Sequence, residues 1–378
     1  MHRICVLILG AATLSAQISV QPRNTLALAE HPEVRANAAL QTEENDPDLP
    51  GLLCRMASSG SAAFNTSDAE KVVRFGLALL SRNDAAETAD SATCLTMLAR
   101  ILESKGQLKQ SVQELEQALA IRERLFGPNH LLVADTSNLL GLAQYHQGRM
   151  ADAERSYGAA VVILRKQAPS TDLAAALSNL GNAMSAQGQL KEGEKWTREA
   201  LSIWERIAGP DDPSVAVGLT NLAVLLQARK QYEEAALLLS RARNINEKKY
   251  PANHPRIGMD LNAAGVLATA RKNYREAEDL LVRSAVIVEK ALSPQDPARG
   301  QVLLNLGEVY RLEKKMGQAG EALKRGLTTV MAAWDPNDAR LPAWMDKLVL
   351  VLRSQEEFAA AEELEIRATR IRTKQALH

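Results

Sequence analysis

His130 and His254 fall at corresponding positions when the chain is aligned with itself, and paired imidazoles are one way a protein holds a metal ion. Their column otherwise reads Asp172, Asp212, Asp296 and Asp338, and no second His or Cys stands at ligand spacing from any member. Pro213, Pro255 and Pro297 follow three members directly, as expected of residues that begin helices: Asp caps an N-terminus and proline is tolerated at the first helical position. His146 is a lone histidine within a helical pattern, and a single imidazole of that kind is ordinarily a surface residue. There is no HExxH, no GxSxG and no GxxxxGK[ST], so metalloprotease, hydrolase and phosphate-loop chemistry all lack their residues. No catalytic residue, metal or cofactor is expected.

Amides recur more regularly. Asn179, Asn221 and Asn305 directly precede Leu180, Leu222 and Leu306, while Asn138 and Asn262 stand one place earlier, about 100° further round a helix. An amide is both donor and acceptor, so a ladder of them can meet the backbone of an extended peptide without specifying its sequence. The same groups can instead bond one repeated unit to the next, since a buried polar group has to be satisfied. Both roles remain open at this point.

The elements that must position these groups are set by a long, apolar, electrically neutral chain. Its 378 residues are 46% hydrophobic, enough for a large core, and Lys plus Arg equals Asp plus Glu at 45 each. That balance removes the electrostatic footprint of a nucleic-acid or anionic-membrane binder. Residues 1–16 carry a basic start, an apolar run from Ile4 to Leu14 and small residues near Ala16, the build of a cleavable secretory signal, with a run too short to span a bilayer. Residues 17–50 show no periodicity and suit a flexible leader. Cys54 and Cys94 remain after cleavage and are compatible with one disulfide or with two separate buried thiols.

Beyond Ser91 the chain repeats. One column reads Leu98, Leu140, Leu180, Leu222, Ala264, Leu306 and Leu348, with steps of 42 residues apart from a single step of 40, giving seven copies. Small residues keep the same steps, among them Ala99, Gly141, Gly181, Ala223, Gly265 and Gly307. In each copy the apolar positions form two blocks at helical spacing, separated in the second copy by a tight turn at Gly148. Each copy is therefore two antiparallel helices, and Gly181 and Gly193 are expected to let their pair approach closely. Ser67–Arg82 extrapolates onto the same columns as the second helix of a degenerate unit over residues 51–91. Glu365 places a charge where earlier copies are apolar, fitting an exposed terminal helix.

Leu140, Gly141, Gly148, Met150, Ala153, Tyr157 and Ala160 match the tetratricopeptide pattern in order and spacing, and the resemblance extends over residues 92–376. The ordinary period of that family is about 34 residues, so these units are lengthened. With their Gly-Pro and Asp-Pro junctions they look like the tetratricopeptide region of kinesin light chains and its bacterial relatives. The resemblance implies an all-α, right-handed superhelical solenoid whose first helices line a groove. It also implies partner-binding roles for Asn138, Asn179, Asn182, Asn221, Asn262 and Asn305, with Arg311 and Arg353 further along. A basic clamp used by some members is not reproduced, Lys347 being the one basic residue at the comparable positions.

Together these features predict a non-catalytic scaffold, periplasmic or secreted, that binds a protein or peptide and neither nucleic acid nor, after signal cleavage, membrane. Two alternatives remain: the regulatory subunit of a separately encoded exported enzyme, or a structural element that self-assembles through the face of Val349 and Ile371.

Overall fold

The structure, a computed structural model, describes residues 51–54, 66–82 and 85–376. The expected signal and leader lie outside the described residues. Among the described residues every regular element is an α-helix. After a helical stretch at residues 51–54 come α1 (Thr66–Arg82), α2 (Ala89–Ser104), α3 (Leu108–Phe126), α4 (Leu131–His146), α5 (Met150–Leu164), α6 (Thr171–Ala186), α7 (Leu190–Ala208) and α8 (Pro213–Ala228). They continue as α9 (Tyr232–Lys249), α10 (Pro255–Ala270), α11 (Tyr274–Ala291), α12 (Pro297–Leu312), α13 (Met316–Ala333), α14 (Leu341–Ser354) and α15 (Phe358–Ala376). From α2 onward they form seven consecutive pairs, so the all-α solenoid of antiparallel helix pairs is the fold of this chain. None of these helices is long and apolar enough to cross a membrane.

The junction column does start helices. The side chains of Asp212, His254 and Asp296 accept from the backbone N–H of Ser214, Arg256 and Ala298 at 2.8, 3.2 and 2.8 Å, with proline at the first helical position each time. His130 Nδ1 accepts from Leu132 N–H at 3.1 Å, so both recurring histidines act as caps. Asp172 departs from the column. Ser170 caps α6 instead, accepting from Leu173 N–H at 3.1 Å, because the shorter preceding junction brings the serine to the helix start.

The turn inside each pair requires a left-handed residue. Gly148 and Gly188 supply it with φ of 79° and 85°, whereas Lys230, Lys272, Lys314 and Glu356 hold φ of 62–64° at the equivalent positions. A side chain is therefore carried at this turn despite the steric cost, about 1–2 kcal/mol. Gly181 and Gly193 meet as expected: a Cβ on Gly181 would lie 2.8 Å from the Gly193 carbonyl oxygen, and one on Gly193 would lie 2.7 Å from that of Gly181.

Packing divides the chain into two units, one made chiefly of the residues from Ser137 onward and one of Lys109–Thr136 with the helices before Lys105. In the amino-terminal unit Cys54 and Cys94 are joined in a disulfide, with Cα atoms 5.2 Å apart, beside buried Val73, Leu80, Leu98 and Leu102. The choice the sequence left open is settled as a bridge. In the larger unit the core runs through the seams between pairs, for example Leu281, Val288, Val302 and Leu306, then Leu323, Val330, Trp344 and Leu348. Val349 and Ile371 are 4% and 2% exposed within this last cluster. The self-assembly face expected there is not a surface: both side chains fill the core between α14 and α15.

Candidate functional site

Within the larger unit, successive first helices pack on one another: α6 on α8, α8 on α10, α10 on α12 and α12 on α14. Successive second helices lack comparable packing and are bridged by long side chains. Arg198 reaches Glu234, Arg241 reaches Glu205 and Arg325 reaches Glu289, at 2.6, 2.6 and 2.5 Å. A stack that is close on one side and splayed on the other is curved, so the first helices line its inner face.

That face carries one stripe per helix at i, i+3 or i+4, and i+7. It reads Ala175, Asn179 and Asn182 on α6, Val217, Asn221 and Val224 on α8, Met259, Asn262 and Val266 on α10, and Gln301, Asn305 and Glu308 on α12. Asn179, Asn221 and Asn305 therefore share a face, and Asn262 lies one position round from theirs. They do not share a role. Asn305 Nδ2 donates to Asn262 Oδ1 at 2.8 Å, Asn221 Nδ2 to Ser178 Oγ at 3.0 Å, and Asn179 Nδ2 to Asn138 Oδ1 at 3.1 Å. Asn221, Asn262 and Asn305 are buried at 7%, 0% and 5% exposure and tie neighbouring first helices together. Asn138, Asn179 and Asn182 are half-buried and keep a solvent-facing edge. Arg311 Nε and Nη2 pair with the Glu308 carboxylate at 2.8 and 3.1 Å, which raises the guanidinium pKa, chiefly through that hydrogen bond. Lys347 also approaches Glu308, at 3.4 Å. Arg353, exposed, pairs with Glu365 at 2.8 Å within the last pair.

A polar centre that the amide pattern did not reveal lies at the seam of α9 and α10. Asp260 is 8% exposed and accepts from Asn246 Nδ2 at 2.8 Å beside a cavity of about 180 Å³ walled also by Leu239, Arg243 and Leu267. Burial pushes the carboxyl up to about 6, against the opposing pull of the Asn246 hydrogen bond and of Arg256 and Arg243. In the two copies before it and the two after it the column of Asp260 holds Ala176, Gly218, Val302 and Trp344, so a charged residue among apolar neighbours in the column was the signal. In the amino-terminal unit the same pair of columns holds Arg122 and Thr136, joined at 2.5 Å. Burial lowers the Arg122 pKa, and Asp135 counters it.

The fold and its inner face define a class: a curved solenoid of helix pairs that presents a continuous stripe of first-helix side chains. Tetratricopeptide repeats are detected in it, the profile of that family matching residues 90–166 and 172–248. A search of curated protein sequences finds no match. Among solved structures the chain is similar to a Rap protein complexed with Competence and Sporulation Factor, at 17% identity over 86% of this chain and 98% of that one, TM-score 0.58. It is similar to the APC/C hetero-tetramer Cut9–Hcn1, at 14% identity over 90% and 57%, TM-score 0.53. It is also similar to BtubC (BKLC) from P. vanneervenii, at 20% identity over 63% and 94%, TM-score 0.44. At these identities the likeness to the Rap protein and to Cut9–Hcn1 speaks to fold alone.

Proposed function

We propose that this protein is a non-catalytic scaffold that holds an extended segment or helix of a partner protein against the inner faces of α6 to α12. The observation that carries this reading is the stripe itself. Its buried asparagines fix the helices, and its half-buried members offer surface to a ligand. The middle of the stripe is apolar, with Val217, Val224, Met259 and Val266, while Asn179 and Asn182 flank it on one side and Glu308 with Arg311 on the other. Such a surface suits a segment with apolar side chains at its centre and polar ends. The complex of a similarly folded Rap protein with a separate factor supports partner capture by this architecture. Export is part of the proposal: the apolar run at residues 4–14 and the disulfide between Cys54 and Cys94 both suit an oxidising compartment.

The test compares proteins that co-purify from the cell-envelope fraction with the parent chain, with Thr220→Arg/Val224→Arg on the inner face of α8, and with Leu237→Arg. Leu237 is 73% exposed on the second helix α9 and serves as the control. The proposal expects a partner retained by the parent and by Leu237→Arg and lost from the inner-face variant at unchanged helicity. Equal recovery with all three would remove the inner face from the mechanism.

A further inference from the structure

In a stack of helix pairs each pair ordinarily touches only its immediate neighbours. The larger unit departs from this at the loop that leads from α13 into α14. Arg340 Nη2 donates to the carbonyl oxygen of His146, the last residue of α4, at 3.4 Å and across 194 positions of sequence. The donor is held in place from three sides. Asp338, whose side chain is 0% exposed, accepts from the backbone N–H of Arg340 at 2.8 Å, from Nε at 2.9 Å and from Nη2 at 2.6 Å. The guanidinium also lies 3.8 Å above the Trp334 ring. The acceptor is equally suited, because the last carbonyls of a helix lack partners within it and its C-terminus attracts positive charge.

The neighbourhood agrees. Tyr145 is buried beside this point, and the Arg340 charge opposes the burial that raises its phenol pKa. A Cβ placed on Gly148 would lie 3.9 Å from that of Ala339. Arg340 itself remains 34% exposed, and a contact made by a solvent-accessible polar group can open locally without unfolding its surroundings.

We infer that Arg340 is a latch: it joins the turn after α4 to the loop before α14, shuts the lateral opening of the inner face, and must release before a partner segment can enter from the side. The gating half of this inference rests on the inner face being the binding surface; the closure itself does not.

Two measurements on the full chain test it. The first introduces Gly148→Cys with Ala339→Cys. Position 148 is left-handed, but Lys230, Lys272, Lys314 and Glu356 occupy its equivalents, so a cysteine is carried there. Mild oxidation should link the two cysteines, as peptide mapping would identify, and adding Arg340→Gln should slow the linkage several-fold. Absence of the link, or linkage that is insensitive to residue 340, overturns the closure. The second places Val224→Cys on the inner face and compares labelling by N-ethylmaleimide with labelling by a polyethylene-glycol maleimide of several kilodaltons, assigned by peptide mass. Arg340→Gln should leave the small reagent's rate unchanged and raise the large reagent's rate several-fold. Equal rates for the large reagent with and without Arg340 overturn the gate. Because neither readout needs the partner, failure here is distinguishable from failure of the scaffold reading, which the co-purification tests.

Discussion

The side-chain amide of Asn305 on α12 donates to that of Asn262 on α10 across 2.8 Å, joining two successive first helices from within the core. The outer counterpart of this tie is the contact between Arg325 on α13 and Glu289 on α11 at 2.5 Å. One is made of two short side chains and the other of two long ones. Short ties inside and long ties outside hold neighbouring pairs in a wedge, and wedges repeated along the larger unit give it its curvature. Asn221, Asn262 and Asn305, first suggested for a ligand, thus hold successive first helices together.

If Asn305 and Asn262 act on each other, truncating one strands the other. Asn305→Ala leaves Asn262 Oδ1 buried without its donor and should cost about 1–3 kcal/mol of unfolding free energy. The double variant Asn262→Ala/Asn305→Ala should cost clearly less than the sum of the singles. Denaturant unfolding of all four proteins measures this coupling. Additive losses would mean that the bond contributes nothing beyond packing.

Asp260 predicts an inverted pH dependence. A carboxyl whose folded pKa is raised from 3.8 to about 6 holds its proton longer in the folded chain than in the unfolded one. Between those two values the folded state binds more protons, so this group's contribution to stability falls as pH rises from about 4 to about 6 and is level above that. The penalty reaches up to ~3 kcal/mol at neutral pH. Asp260→Asn should therefore stabilise the protein at pH 7 and flatten the slope between pH 4 and 6. The new amide still accepts from Asn246 Nδ2 and can also donate to Asn246 Oδ1, which is buried without a donor. Thermal unfolding of parent and variant at several pH values decides it.

How much of this was legible in the sequence follows from what each residue interacts with. Periodicity identifies groups that meet their own repeat, so the helix pairs, the Gly181–Gly193 contact and most of the caps could be read directly. Asn221, Asn262 and Asn305 were found as a pattern, yet spacing does not distinguish an amide facing solvent from one bonded to the next repeat 43 residues away. Asp172 was displaced as a cap because one junction is short and Ser170 took the position. The Arg340 to His146 contact leaves no trace at any period, since it joins parts of the chain that no repeat relates.

The disulfide should matter most to the amino-terminal unit. Cys54 and Cys94 close a loop of 40 residues around the cluster of Val73, Leu80, Leu98 and Leu102. In the chain-entropy account, replacing both cysteines by Ser releases roughly 3–4 kcal/mol of constraint on the unfolded state. Limited proteolysis should then cut within residues 66–105 well before it cuts α8 to α13, whereas the parent resists at both places until reduced. Simultaneous cleavage at both places in the Ser variant would mean that the bridge does not set the stability of its unit.

Two glycines at superficially similar helical positions should respond oppositely to the same methyl group. A Cβ on Gly158 in α5 would meet no atom within 4 Å, so Gly158→Ala gains helix propensity and restricts the unfolded chain without a clash. It should stabilise by roughly 0.5–1 kcal/mol. A Cβ on Gly181 would stand 2.5 Å from Thr197 Oγ1 and 2.8 Å from the Gly193 carbonyl oxygen, and backbone cannot swing aside as the end of a side chain can. Gly181→Ala should push α6 and α7 apart and lose about 1–3 kcal/mol. Opposite shifts in denaturation midpoint are the expected result. A gain at Gly181 would mean that the pair has room the close approach denies, and with it the reason for small residues in that column would fall.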